Sequence, residues 1–232
     1  MARFLLLHGF GGVGPDHWLV WLSQELRARG HVARLRKLPS PNAPVLEAWM
    51  ASLTERLAAL GDEPELQPAG AASADISPAP GLARHADARS EAGDRSGELI
   101  VVAHSLGARL WLHHALEGGH GLPVADRVAL VALPKLPELP PEQDPVQHSR
   151  FYALDVDVAT VDPSRVAKVT RAVVSDNDHF WPGAGAIPNL IEPLGLPVDL
   201  LPGAGHFEPK DGFGPWPGLL AWCLGEAETI ER

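Results

Sequence analysis

Apolar residues fall along this chain in two alternating patterns. Short unbroken runs, Phe4-Leu5-Leu6-Leu7, Leu99-Ile100-Val101-Val102 and Ala172-Val173-Val174, read as strands buried on both faces. Between such runs, apolar residues return every three or four positions, the period of an amphipathic helix. The clearest helix starts near Pro44 and carries Leu46, Trp49, Met50, Leu53, Leu57 and Leu60 on one stripe. An earlier one opens at Pro15-Asp16-His17-Trp18, puts Trp18, Trp21, Leu22 and Leu26 on one face, and stops near Gly30. A short strand is predicted over 32–35, followed by the turn Leu38-Pro39-Ser40-Pro41. Further on, the pattern predicts strand 99–103, helix 106–117, strand 128–133, a Pro-rich stretch 134–147, strand 171–175, a Pro-interrupted helical region 184–194, strand 198–201 and a closing helix 217–225. Strand–helix alternation predicts an α/β fold, a single domain over residues 1–232 with about six mainly parallel strands and helices on both faces. Functional residues of such a sheet gather outside the carboxyl ends of its strands.

Residues 62–97 break the pattern. They are rich in Ala, Pro, Gly, Ser and charge, with Leu66, Ile76 and Leu82 as the sizeable apolar side chains. Such a segment cannot offset its ordering entropy by burial, so it reads as a disordered insertion between the second helix and the next strand, away from the chemistry.

Composition narrows the function. With 232 residues and 45% hydrophobic content the chain can bury a sizeable core. A net charge of −10 without a clustered basic surface argues against a nucleic-acid partner, and Arg34, Arg36 and Lys37 read as residues flanking a strand end. No apolar run reaches the ~18 residues of a membrane span, and the opening run is too short for a secretion signal, so a cytoplasmic protein without membrane contact is expected. The one cysteine, Cys223, reads as a buried helix residue. The eleven histidines show no metal-ligand spacing, since His113-His114 are adjacent and no HExxH occurs; no metal and no cofactor are expected.

The candidate chemistry sits at three strand ends. Ser105, in Val101-Val102-Ala103-His104-Ser105-Leu106-Gly107, occupies the turn from a buried strand into a helix. A serine there projects its Oγ from the sheet edge, while the backbone N–H of Leu106 faces the oxygen of an attacked carbonyl. It is equally a common helix N-cap. Ala172-Val173-Val174 ends in Ser175-Asp176-Asn177-Asp178, and Val198-Asp199-Leu200-Leu201 leads to Pro202-Gly203-Ala204-Gly205-His206. The order Ser105, Asp178, His206 is the triad order of α/β-hydrolases. The second oxyanion donor is assigned to the backbone N–H of Phe10 in His8-Gly9-Phe10-Gly11-Gly12, with His8 fixing that loop and His104 packing beside the nucleophile turn. Phe213 and Trp216, near His206 in sequence, are candidates either for an acyl pocket wall or for packing of the last helix.

These residues together resemble the small serine hydrolases of the α/β-hydrolase superfamily that include the retinoblastoma-binding-protein hydrolases. The likeness runs nearly end to end: His8-Gly9, His17-Trp18 with Trp21-Leu22, Leu38-Pro39 with Pro44 and Trp49, His104-Ser105-Leu106-Gly107, Ser175-Asp176-Asn177-Asp178, then Gly205-His206 with Gly212-Phe213-Gly214-Pro215-Trp216-Pro217. It implies an α/β-hydrolase core without a large cap domain, a triad of Ser105, Asp178 and His206, and carboxylester hydrolysis of small soluble substrates through an acyl-enzyme. Asp176 competes for the acid role; the family pattern, three residues after Ser175, selects Asp178 and leaves Asp176 to brace the turn. Two departures stand out, the long 62–97 segment and Ala103 where the family commonly has Gly.

Two rival readings remain at this point. Gly9-Phe10-Gly11-Gly12-Val13-Gly14 matches the dinucleotide fingerprint, with Arg34, Arg36 and Lys37 in place of the ribose-binding acid, which would suit an NADP-dependent oxidoreductase. The other is a catalytically silent binding module that keeps the hydrolase fold. A small-molecule ester is the expected partner; a protein partner is not indicated.

Overall fold

A strand between two helical layers must be apolar on both faces, and the runs identified above form such strands. The computed structural model describes residues 1–61, 97–118, 125–134, 149–180 and 191–232. Strands β1 (Arg3–Leu7), β2 (Val32–Leu35), β3 (Leu99–His104), β4 (Arg127–Val131), β5 (Val169–Val174) and β6 (Val198–Leu200) form one six-stranded sheet in the order β2-β1-β3-β4-β5-β6. Every pairing is parallel. Among the described residues five α-helices accompany it: α1 (Trp18–Ala28), α2 (Leu46–Gly61), α3 (Leu106–His113), α4 (Ser149–Tyr152) and α5 (Pro217–Leu224). This is the α/β-hydrolase core expected, and among the described residues there is no cap domain.

Alternate strand positions separate two cores. Phe4, Leu6, Ile100, Val102, Ala129 and Val131 face α1 and α5, meeting Trp18, Leu22, Leu26, Leu219 and Trp222. Leu5, Leu7, Val101, Ala103, Val128 and Leu130 face α2 and α3, meeting Trp49, Leu53, Leu57, Leu110 and Trp111. Ala103 is wholly buried there, so the departure from Gly is absorbed by packing. Cys223 is buried in α5, and no described helix is long and apolar enough to cross a membrane.

Boundaries differ from the sequence reading where side chains intervene. The helix expected over 106–117 runs as an α-helix to His113 and widens into a π turn over His114–Gly118. There His113 is bound on both ring nitrogens, Nδ1 to Glu117 at 2.7 Å and Nε2 to the Phe151 carbonyl at 3.1 Å. Of the segment expected to be disordered, 62–96 lies outside the described residues. Gly97 is described, its N–H on the Met1 carbonyl at 3.0 Å as the chain enters β3. Most of the Pro-rich stretch 134–147 and of the helical region 184–194 also lies outside; Pro134 and the turn beginning at Ile191 are described.

The topology selects one edge of the sheet. From β1 the chain steps outward to β2, then crosses back to β3 on the other side of β1. The loops leaving the carboxyl ends of β1 and β3 therefore diverge and open a crevice. Those loops carry Gly9-Phe10 and Ser105.

Candidate active site

Ser105 holds a conformation that its neighbours impose. Its φ of 55° and ψ of −122° lie where a side chain is strained, at a cost of order 1–3 kcal/mol. Its N–H continues the sheet to the Val131 carbonyl at 2.9 Å, and its own carbonyl accepts from Ala108 N at 2.9 Å, starting α3. Gly107 lets the helix sit this low: a Cβ there would lie 2.7 Å from the carbonyl oxygens of Leu7 and His8. Ser105 occupies the N-cap position, yet its side chain makes no capping hydrogen bond. The Oγ turns instead to His206, 2.9 Å from Nε2.

His206 is held from both sides. Its Nδ1 meets both Asp178 carboxylate oxygens, at 3.0 and 2.8 Å, and all three side chains are buried. The loop after β6 is laced to the loop after β5: Ala204 N donates to Ser175 Oγ at 3.0 Å, Gly205 N to Asn177 Oδ1 at 2.7 Å, and Gly203 N to Asp176 Oδ1 at 2.7 Å. Asp176 thus braces the turn, while Asp178 alone of the two reaches the imidazole. Asp211 Oδ2 accepts the His206 N–H at 2.9 Å, and Trp18 Nε1 donates to the Phe207 carbonyl at 2.8 Å. Phe180 lies edge-on over the His206 ring, centroids 4.5 Å apart.

The histidines around the site have separate tasks. His8 Nε2 accepts the Leu38 N–H at 2.8 Å, which puts its proton on Nδ1, donating to the Gly9 carbonyl at 2.7 Å. It therefore pins the first loop to the β2–α2 connection, and burial pushes its pKa down. His104 Nε2 donates to the His206 carbonyl at 2.8 Å, and desolvation holds it well below the ordinary value, so it is neutral. Its ring packs 5.0 Å from that of His206 and 5.7 Å from that of Trp18.

A cavity of about 460 Å³ opens over Ser105 and His206, walled by the loop from Gly9 to Gly14, His17, Leu106, Pro134, Tyr152 and Phe180, with Glu208 and Lys210 at its rim. Gly9 is forced by proximity: a Cβ there would come 2.6 Å from the Ser105 Cβ. Gly9 is thus set by the close passage of the serine, and Gly11 and Gly12 by their left-handed backbone (φ 77° and 83°), which together account for most of a motif that also reads as a dinucleotide fingerprint. Among the described residues neither the Phe10 N–H nor the Leu106 N–H has a protein acceptor. None of the described His, Cys, Asp and Glu side chains form a group of three or more fit to hold a metal ion.

Phe213 and Trp216 require a correction as pocket residues. Both are buried in the core between the sheet, α1 and α5, where Trp216 stacks on Phe207 at 5.4 Å and meets Trp18 edge-on at 5.3 Å. Left-handed backbone at Gly205 (φ 58°) and Phe207 (φ 57°) folds the loop tightly around His206; residues 208–210 stay at the cavity rim, and the chain enters the core only afterwards, at Phe213 and Trp216. The aromatic walls are Phe10, Tyr152 and Phe180 instead. Sequence reasoning also passed over His17, Glu208 and Lys210; the His17-Trp18 pair carried a signal, but it was spent on the helix start.

Comparison with known proteins agrees with this architecture. A family model described as serine hydrolase matches residues 4–64 and 78–222, leaving 65–77 between the two matched segments. YdeN of Bacillus subtilis (strain 168) is 35% identical over 49 residues, 21% of this chain, and the alignment covers 26% of YdeN's length. The solved structure of the ydeN gene product from B. subtilis superposes with a TM-score of 0.63 at 19% identity, over 97% of this chain and 98% of that one. A methylesterase, MES16 from Arabidopsis, superposes at 0.51 with 13% identity, over 97% of this chain and 98% of its own. At these identities the superpositions establish a shared fold.

Proposed function

The chain belongs to the serine hydrolase family, and from that premise we propose that it hydrolyses carboxylic esters of small soluble substrates through an acyl-enzyme on Ser105. The observation that carries this reading is the unbroken relay from Ser105 Oγ through His206 to Asp178, opening on a cavity of about 460 Å³. The methylesterase among the structural neighbours supports the choice of esters.

In this mechanism His206 Nε2 takes the Ser105 proton as Oγ bonds to the acyl carbon, and Asp178 stabilises the imidazolium and fixes its tautomer. The carbonyl oxygen becomes an oxyanion between the N–H groups of Leu106 and Phe10. The first N–H groups of a helix lack intrahelical acceptors, so Leu106 at the start of α3 supplies its donor without breaking a bond. His206 then hands its proton to the leaving alkoxide as the carbon–oxygen bond breaks. A water, deprotonated by the same imidazole, attacks the acyl carbon; the Ser105–acyl bond breaks and Oγ recovers its proton from His206.

Labelling with a fluorophosphonate and hydrolysis of p-nitrophenyl esters of increasing acyl length test the proposal. Wild-type protein is expected to do both, and Ser105→Ala to do neither while keeping its melting temperature. Retained ester turnover in Ser105→Ala overturns the assignment, and a wild-type protein inert to both reagents favours a silent hydrolase fold.

A further inference from the structure

His206 has a task in the chemistry above, whereas His17, which lines the same cavity, has none. It stands at the N-cap of α1, where its Nδ1 accepts the Leu19 N–H at 3.1 Å. A neutral imidazole that accepts at Nδ1 carries its proton on Nε2. Burial keeps it neutral, since desolvation lowers its pKa to about 4 against the opposing charge of Glu208. The ring lies between Trp18 and His104, centroids 5.2 and 5.3 Å away, which holds its plane.

That leaves one N–H whose use is unexplained. Among the described residues nothing accepts from His17 Nε2, and this atom is not one of those sealed from solvent, so it opens on the cavity. The other polar side chains of the wall are engaged. Ser105 and His206 bind each other, His104 binds the His206 carbonyl, Lys210 pairs with Glu208 at 2.5 Å, and Tyr152 has a partner of its own. A fixed, uncharged donor in a largely apolar cavity matches an uncharged acceptor oxygen. A ligand that brings none strands the donor, and such mismatches are what give a polar site its discrimination.

We propose that the Nε2–H of His17 binds an uncharged oxygen, ether, hydroxyl or carbonyl, that the substrate carries beside its scissile ester, which makes His17 a specificity-determining residue and narrows the substrates to oxygenated acyl or alcohol groups. The proposal rests on the ester-hydrolase reading.

Two isosteric pairs, each differing by CH₂ against O, test it: p-nitrophenyl butyrate against p-nitrophenyl methoxyacetate on the acyl side, and butyl acetate against 2-methoxyethyl acetate on the alcohol side. His17→Ser retains an N-capping oxygen and withdraws the donor; His17→Phe retains the ring and removes it. In wild-type protein the kcat/KM ratio of oxygenated to hydrocarbon ester is expected to exceed the ratio of their hydroxide hydrolysis rates in at least one pair. In both variants that ratio is expected to fall about three- to tenfold, the range of one neutral hydrogen bond. A wild-type ratio no greater than the hydroxide ratio in either pair overturns the proposal, as do unchanged ratios in folded variants. A wild-type protein that cleaves no ester and takes up no fluorophosphonate instead overturns the hydrolytic reading on which it rests.

Discussion

Replacing Gly9 by alanine puts a methyl carbon 2.6 Å from the Ser105 Cβ, 3.0 Å from its Oγ and 3.3 Å from the His104 carbonyl oxygen. Carbon atoms in contact settle at about 3.5–4.0 Å, so one partner must retreat by about 1 Å. Neither side yields easily. Ser105 is tied to Val131 through its N–H and to His206 through its Oγ, while the Gly9 loop is tied by His8 at its carbonyl and by Gly11 N–H on the Pro41 carbonyl at 2.9 Å. Overpacking of this kind costs about 1–3 kcal/mol of stability, equivalent to a fall in melting temperature of about 2–12 °C for a chain of this size. The catalytic cost is greater, because a displacement of about 1 Å between reacting groups lowers rates about 10²-fold. Gly9→Ala is therefore expected to lose about 10²-fold in kcat on p-nitrophenyl acetate and in the rate of fluorophosphonate labelling, with a modest loss of stability. Gly107→Ala is the control, since its Cβ would meet backbone oxygens of Leu7 and His8 at 2.7 Å and force α3 off β1; its larger effect is expected on melting temperature. A Gly9→Ala protein with kcat within threefold of wild type would refute the argument that Gly9 sets the position of Ser105.

Two further outcomes follow from the site's wiring. Asp178→Asn is expected to lower kcat by about 10⁴, the loss that the corresponding change causes in the chymotrypsin-type triad. Asp176→Asn should cost less than tenfold, because the amide oxygen can still accept from Gly203 N; kinetics with the reverse ranking would move the acid role to Asp176. The buried imidazole of His17 makes stability depend on pH: the unfolded chain protonates it near 6.5 and the folded chain only near 4, so its penalty is absent above 6.5 and grows as pH falls towards 4. The full gap corresponds to about 3 kcal/mol. Urea midpoints measured from pH 7.5 to 4.5 should fall more steeply for wild type than for His17→Ser, and parallel curves would contradict the assigned burial effect.

The parts of this molecule that were legible in its sequence are those governed by chain-local physics. Strands buried on both faces must be continuously apolar, which located β1, β3, β4 and the end of β5; β2 (Val32-Ala33-Arg34-Leu35) and β6 (Val198-Asp199-Leu200), at the two ends of the strand order, carry a charge mid-strand and were found from their place in the strand–helix alternation. A serine in a strand-to-helix turn, followed by an acidic cluster and a histidine at later strand ends, placed three side chains at one sheet edge because parallel strands end on the same side. The division of labour between Asp176 and Asp178 was harder, since both sit in one turn. It depends on which carboxylate points along the sheet edge and which back to the Gly203 amide, a matter of dihedral angles that composition does not carry.

Pocket residues failed for a related reason. Phe213 and Trp216 lie within ten residues of His206, and proximity in sequence would mean proximity in space only if the chain continued in its direction. Two left-handed residues flank His206 instead, Gly205 and Phe207. A Cβ at Gly205 would also strike Asp211, whose carboxylate holds the His206 and Glu208 N–H groups, so the whole loop is compressed around the imidazole. That compression throws the following aromatics into the core against Trp18, whose indole N–H grips the Phe207 carbonyl. Trp18 follows His17 in sequence, and the helix whose first turn opens toward the cavity also anchors the histidine loop from below. Phe213 and Trp216 are thereby packed against Phe207 and Trp18, beneath the loop that holds His206 against Ser105, and support that loop from the core instead of lining the cavity.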